Sequence, residues 1–229
     1  MKHTALSCLL ACLLALPAAA QTSPWYVGAA AGQSKAASSL VTDREATIGN
    51  GNEPNMQTSS DLKDTAGKLF GGYRITPVFA LEAHWTSLGE QRIDNTFDVP
   101  FGLTGKGGVR TEREVEGFGL DLVAGWQAAP GLSLFGRIGA FRADVTTDTT
   151  LSGDTRFADG TEGNFRSVSQ NETVFKAGLG AEYAFTRNLA ARLEWERFVD
   201  VGKRLTPDSR GNTGEADHDA WWLGVVFRF

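Results

Sequence analysis

Residues 79 to 86 read FALEAHWT. Phe79, Leu81, Ala83 and Trp85 share one side of a period-two repeat, and Ala80, Glu82, His84 and Thr86 share the other. The segment is therefore read as a β-strand with one apolar and one polar face. The same alternation recurs along the chain and predicts strands at about 25–34, 65–76, 79–90, 113–128, 132–146, 172–186, 189–200 and 217–229. Thr76-Pro77, Ala129-Pro130-Gly131 and Thr186-Arg187-Asn188 supply tight turns between them. Segments 36–63, 91–112, 147–171 and 201–216, rich in Gly, Ser, Thr, Asn and Asp, read as long loops; 36–63 and 147–171 are either disordered or prolong the strands. After residue 20 no run of eighteen apolar residues offers a membrane helix. Alternating short turns and long loops predict an all-β fold: an eight-stranded antiparallel up-and-down transmembrane β-barrel. Four long loops are then extracellular, and three short turns and both chain ends are periplasmic.

Alternation alone does not tell a membrane barrel, apolar outside, from a soluble lipocalin-like carrier, apolar inside. The glycines help to decide between them. Gly72, Gly117, Gly119, Gly125, Gly139, Gly178, Gly180 and Gly224 fall in phase with the charged residues. On a solvated face glycine weakens a strand and packs nothing, whereas in a narrow lumen it leaves room for a neighbour's long side chain. The polar phase is therefore read as lumen-facing. Aromatic residues of the apolar phase fall into two belts. Trp25, Tyr73, Phe79, Trp126, Tyr183, Phe185 and Phe229 lie near the turns or the chain end, and Trp85, Phe118, Phe175, Trp195 and Trp221 lie nearer the loops. Leu122, Ile138, Leu179 and Leu193 lie between, as in the aromatic girdles at the two interfaces of a bilayer. Residues 221–229, WWLGVVFRF, put Trp221, Leu223, Val225, Phe227 and Phe229 on one face. This resembles the C-terminal signal by which assembly machinery recognises outer-membrane barrels; as a soluble edge strand it would invite aggregation.

The beginning of the 229-residue chain reads differently. Lys2 precedes an apolar run at 5–16, ALSCLLACLLAL, and Pro17-Ala18-Ala19-Ala20 follows. Residues 1–20 are thus expected to be an export signal cleaved after Ala20, leaving 21–229 as a single barrel domain. Leu9-Leu10-Ala11-Cys12 offers a lipoprotein signal as the alternative. Cys8 and Cys12, the two cysteines, leave with the signal, so no disulfide or thiol chemistry is expected. Loss of Lys2 takes the formal charge from −5 to about −6, a mildly acidic balance that argues against a nucleic-acid partner.

KAGLGAEYAFTRNLAARLEWERF, residues 176–198, resembles a hairpin of OmpA-like transmembrane domains, with its Gly-x-Glu-Tyr-Ala, tight turn and Arg-Leu-Glu-Trp pattern. Trp25-Tyr26-Val27-Gly28 resembles that family's first strand and GRIGAFRAD, residues 136–144, its fifth. The likeness extends over the mature chain in strand order but not into the loops. It implies charged lumen residues paired across the barrel, at Glu82, Glu182, Arg192 and Glu194. Where the family has a lysine on its fourth strand this chain has Val123, and Lys176 stands in phase to compensate. Longer family members continue into a peptidoglycan-binding domain, and none is expected here.

The lumen-facing phase gives Lys68, Arg74, Arg137, Lys176 and Arg192 against Glu82, Asp121, Glu182 and Glu194. An isolated charge there would cost several kcal/mol, so the near-balance is read as paired ions that plug the lumen. A small or gated ion pathway through rearranging pairs is the second reading. His84 is read as a hydrogen-bonded lumen residue rather than a general base, and His218, in Asp217-His218-Asp219, as part of a solvated rim, with a loop-end metal site as the alternative. No catalytic residue, metal or cofactor is expected. The expected function is that of an outer-membrane structural and interaction protein that anchors surface loops and supports the envelope; a low-conductance channel and a soluble carrier are the alternatives. Expected partners are outer-membrane lipid and lipopolysaccharide, periplasmic chaperones and the barrel-assembly machinery during biogenesis, and extracellular ligands of the loops.

Overall fold

Each alternating stretch forms a strand, and every pairing between strands is antiparallel. The computed structural model describes residues 23–48, 53–98, 105–157, 162–206 and 212–229. The expected export signal lies outside the described residues. In chain order the elements are β1 (Trp25–Ala36), α1 (Ser39–Thr47), β2 (Gln57–Asp61), β3 (Lys63–Arg74), β4 (Phe79–Asp98), β5 (Lys106–Ala129), β6 (Leu132–Gly153), β7 (Phe165–Ala184), β8 (Leu189–Val201) and β9 (Ala216–Arg228). Among the described residues nine strands form one barrel-like sheet in the order β2-β4-β3-β1-β9-β8-β7-β6-β5, with a further pairing of β4 to β5. β2 and β3 both pair with β4. Between them, the Leu62 carbonyl accepts the Ala36 N–H at 2.9 Å, and the Lys63 N–H turns to its neighbour Asp61 Oδ1 at 3.3 Å. This local detour separates β3, which was expected, from β2, which lies in a segment expected as a loop.

The tight turns follow from local chemistry. Thr76 Oγ1 accepts the N–H groups of Val78 and Phe79 at 3.2 and 2.9 Å, and Thr186 Oγ1 those of Asn188 and Leu189 at 3.2 and 3.0 Å. Two hairpins thus use the same threonine-capped turn. At the third, Gly131 takes φ +77°, a left-handed conformation that glycine adopts without steric cost. We call this the turn end of the sheet.

The opposite, loop end departs from expectation. Residues 91–112, expected as a loop, continue β4 to Asp98 and begin β5 at Lys106; in 147–171 the strands are prolonged, one of the two readings given for that segment, β6 running to Gly153 and β7 starting at Phe165. Segment 36–63 contains α1 and β2 rather than loop alone. In α1 the buried residues Leu40, Arg44 and Thr47 recur at helical spacing, and Leu40 packs with Ala36, Ile93 and Ala216. Burial pushes the Arg44 guanidinium down to about 10, with the neighbouring charge of Arg166 acting in the same direction.

Two bulges mark where the rules change. The β4–β5 register shifts between Ser87 and Glu90, where Gly89 has φ +76°. Asp64 Oδ2 accepts the bulge N–H of Glu90 at 2.7 Å. The β8–β9 register shifts between Phe198 and Val201, where Asp200 has φ +53° and its N–H is taken by Asp217 Oδ1 at 3.0 Å. Each bulge moves its strand's inward phase by one residue. On β4 the inward set is Ala80, Glu82, His84, Thr86 and Leu88 before the bulge, and Gln91, Ile93, Asn95 and Phe97 after it.

Between the turns and the bulges the sheet is inside-out relative to a water-soluble fold. Leu223 and Phe118 are each 67% exposed, whereas Glu82 and Lys176 are fully buried. That distribution contradicts a soluble lipocalin-like barrel, whose apolar face is enclosed.

Candidate functional site

The buried interior between the turn end and the bulges is a lattice of ions. Strand pairing sets it up: Glu82 on β4 lies opposite Asp121 on β5, and Glu182 on β7 opposite Arg192 on β8. Arg137, on β6, is the centre. Its guanidinium contacts Glu82, and reaches Glu196 at 2.7 Å, Glu194 at 3.1 Å and Asp121 at 3.4 Å. Lys68 on β3 contacts Glu194 at 2.5 Å and Glu196 at 3.1 Å. Lys176 meets Glu196 at 2.9 Å and Asp121 at 3.0 Å, and donates to His84 Nε2 at 2.9 Å. Arg192 joins Glu82 at 2.7 Å, Glu182 at 2.9 Å and Glu194 at 3.3 Å, and the Tyr26 hydroxyl donates to Glu82 at 3.1 Å.

The lattice core therefore sets Lys68, Arg137, Lys176 and Arg192 against Glu82, Asp121, Glu194 and Glu196. Such a set offsets the desolvation of its members only because each has several partners; removing one leaves uncompensated buried charge. Glycines give it room. A Cβ at Gly139 would meet Asp121 Oδ1 at 2.1 Å, and one at Gly119 would meet His84 Nε2 at 2.2 Å. Val123 is buried where the resemblance led to expect a lysine, and Lys176 is fully engaged.

Glu182 is joined to this core through Arg192, and Arg74 lies beyond it at the turn-end mouth. The Arg74 side chain is 48% exposed and comes no closer to Glu182 than 3.9 Å. Sequence reasoning missed Glu196 and Arg228, although both continue alternations it had used: Glu196 follows Arg192 and Glu194, and Arg228 follows Trp222, Gly224 and Val226. It also missed Arg113, which continues the inward phase of Gly117, Gly119 and Asp121 on β5, and Gln91, which lies beyond the β4 bulge.

His218 was expected at a solvated rim. It is buried beyond the lattice, where Arg113 lies 3.2 Å from its Nε2. Arg113 also donates to Gln91 Oε1 at 3.1 Å and to the carbonyl of Val201 at 2.7 Å, which ties the interior to the neck of the β8–β9 connection. The even phase of β9, which carries Trp222 and Gly224 inward, carries His218 inward too.

On the outer face, Trp25, Tyr73, Phe79, Trp126 and Tyr183 are exposed toward the turn end, and Phe118, Phe175 and Trp221 toward the loop end, with Trp85 and Trp195 half-buried. Many are cross-strand pairs: Trp25 with Tyr73, Trp85 with Phe118, Trp195 with Trp221. Trp221, Leu223 and Val225 share this face with the half-buried Phe227, and the Phe227 and Phe229 rings meet edge to face at 5.4 Å.

The sequence matches the family described as outer membrane protein beta-barrel domain over residues 6–229. It is 24% identical to outer membrane protein A of Klebsiella pneumoniae over 225 residues, covering 95% of this chain and 54% of that protein. It is 27% identical to outer membrane protein A of Shigella flexneri over 234 residues, covering 100% of this chain and 56% of that one. The chain thus spans about half the length of the curated relatives it matches. Neisserial surface protein A has a similar fold, with a TM-score of 0.50 at 15% identity, covering 90% of this chain and 98% of that structure.

Proposed function

The chain belongs to the outer membrane protein β-barrel family and is a multi-pass protein of the bacterial outer membrane, and from this premise we propose that it is a non-enzymatic surface protein whose sealed barrel holds a sheet of longer strands outside the cell. β2 and β3 count as one stave in this reading, giving eight staves closed by the β4–β5 and β1–β9 pairings. The turn end faces the periplasm and the loop end the exterior. The observation that carries the proposal is the ion lattice: four buried cations and four buried carboxylates, mutually in contact, occupy the space an open channel would need.

The outer face supports a bilayer placement. From residue 118 to residue 126 on β5, eight steps along an extended strand cover about 27 Å; tilted as membrane strands are, they rise roughly 20 Å, near the apolar height of such barrels. Phe118 and Trp126 would then stand at the two interfaces. Residues 1–20 as an export signal and the outward face of Trp221, Leu223, Val225, Phe227 and Phe229 as an assembly signal complete the reading, with chaperones and assembly machinery as transient partners.

Beyond the bilayer, the sheet offers a surface for interaction. β8 pairs with β7 only from Lys176 to Ala184, so, among the described residues, 167–175 of β7 have a strand neighbour on one side alone, β6. A strand edge of this kind accepts an extended peptide by backbone hydrogen bonding. Planar-bilayer recording tests the function directly. The sealed barrel should show no unitary steps, whereas steps altered by Glu82→Gln or Arg192→Gln would replace this reading with a gated channel.

A further inference from the structure

At the turn end a vestibule of about 200 Å³ opens below the lattice, lined among others by Tyr26, Arg74, Gln127, Ser133, Glu182 and Arg192. That volume is below the range of pockets for drug-sized ligands and suits an ion of a few heavy atoms. Its charges do not cancel. Glu182 is the carboxylate of the mouth, and three guanidinium groups converge on it: Arg192 at 2.9 Å on Oε2, Arg228 in contact with Oε1, and Arg74 at 3.9 Å. Arg192 is already shared with Glu82 and Glu194 in the balanced core. With both Glu182 oxygens taken, Arg74 is left beyond hydrogen-bonding distance.

Among the described residues, the Arg74 side chain donates no hydrogen bond to the protein; its recorded contacts are the distant Glu182 and the face of the Tyr26 ring at 6.0 Å. The vestibule therefore presents a half-exposed guanidinium held only by a long ion pair, with the Ser133 hydroxyl and Gln127 amide in the same lining and Arg228 reaching the lining carboxylate Glu182. A planar fork of N–H donors with excess positive charge matches carboxylate and phosphate oxygens.

We propose that this vestibule is a binding site for a small oxyanion, a carboxylate or phosphate, held chiefly by Arg74 with Arg228. The proposal does not depend on the sealed lumen or on which compartment the turn end faces. Arg74 belongs to the inward phase of β3, so a dissolved anion reaches it through the mouth, and a lipid headgroup would have to fold into the mouth to do the same.

The full chain folded in zwitterionic micelles, with ¹⁵N-labelled arginine side chains, is titrated with inorganic phosphate and with acetate, against chloride at matched ionic strength. Saturable displacement of the Arg74 Nε–H signal by phosphate or acetate, but not chloride, is expected. Arg74→Gln should weaken binding about tenfold, equivalent to ~1.4 kcal/mol. Glu182→Gln, which removes the competing carboxylate, should strengthen it severalfold. Damage to the fold would weaken both variants alike, so opposite signs are diagnostic. Repeating the titration in phosphatidylglycerol and phosphatidylcholine vesicles identifies the source: equal affinity supports a solute, and weaker phosphate binding in the anionic vesicles supports a headgroup in the same site. Equal binding by wild type and Arg74→Gln, or a phosphate response identical to that of chloride, would overturn the proposal.

Discussion

On β5, Phe118, Leu120, Leu122 and Trp126 point outward while Asp121 points in; toward the loop end of the same strand, Arg110, Glu112 and Glu114 point outward while Val109 and Val115 point in. One continuous strand thus obeys two opposite rules. The difference lies in the surrounding solvent. Where the outside is hydrocarbon, outward leucines cost nothing and charges must find partners within, as Asp121 does with Lys176 and Arg137. Where the outside is water, burying Ile93, Phe97 and Leu151 is favourable by about 1.5–3 kcal/mol each, and outward charges such as Arg110 and Asp94 pair at 2.7 Å in solvent for little net gain. The hydrophobic effect therefore consolidates the loop-end section, and hydrogen-bonded ions and sheet closure consolidate the band below it.

Substitutions separate these two regimes. The largest effect is expected from Arg137→Met, which strips shared partners from Glu82, Glu194 and Glu196; urea unfolding in lipid vesicles should show a loss of about 3–5 kcal/mol. If the loss is below 1 kcal/mol, the lattice is not what fixes the interior. Leu122→Arg, near the middle of the outward apolar face, should cost about 2–4 kcal/mol in the same assay, while Thr146→Arg, outward beyond the band, should stay within about 0.5 kcal/mol. Equal costs would erase the boundary between the regions. Gly89→Ala forces an alanine into φ +76° against Asp64 and should cost roughly 1–2 kcal/mol. Hydrogen exchange should localise that loss to β4 beyond residue 88. Ile93→Val should cost about 1 kcal/mol and accelerate exchange in the loop-end section alone, leaving the band unchanged.

The band was legible from the residues because hydrocarbon imposes a strict two-residue code and glycine betrays the crowded side. Glu82, Asp121, Arg137 and Lys176 follow from that code, and so do Glu196 and Arg228, which needed only a further step along alternations already in hand. The loop-end section was harder to read for a physical reason. Its outward residues are polar and its inward ones mixed, so QRIDNTFD (91–98) resembles a loop by composition, although Gln91, Ile93, Asn95 and Phe97 still alternate with Arg92, Asp94, Thr96 and Asp98. The bulges at Gly89 and Asp200 also break the phase that carries the code forward. His218 was misplaced because its acidic neighbours Asp217 and Asp219, which point outward, dominate the local composition. α1 spans only nine residues, too few turns for helical periodicity to stand out from loop composition.

The pairing of β1 with β9 has a kinetic consequence. All the other ladders join segments close in sequence, many of them simple hairpins, so each can form by closing a short stretch of chain. The β1–β9 seam instead brings Tyr26 opposite Arg228, roughly two hundred residues away, and the entropy of closing so long a loop must be met before any hydrogen bond across it can form. Pairing along this seam should be the late and slow event in folding. Until it closes, the unpaired margins of β1 and β9 are the places where a neighbouring chain could insert, and a chaperone that shielded those two margins would protect the whole molecule.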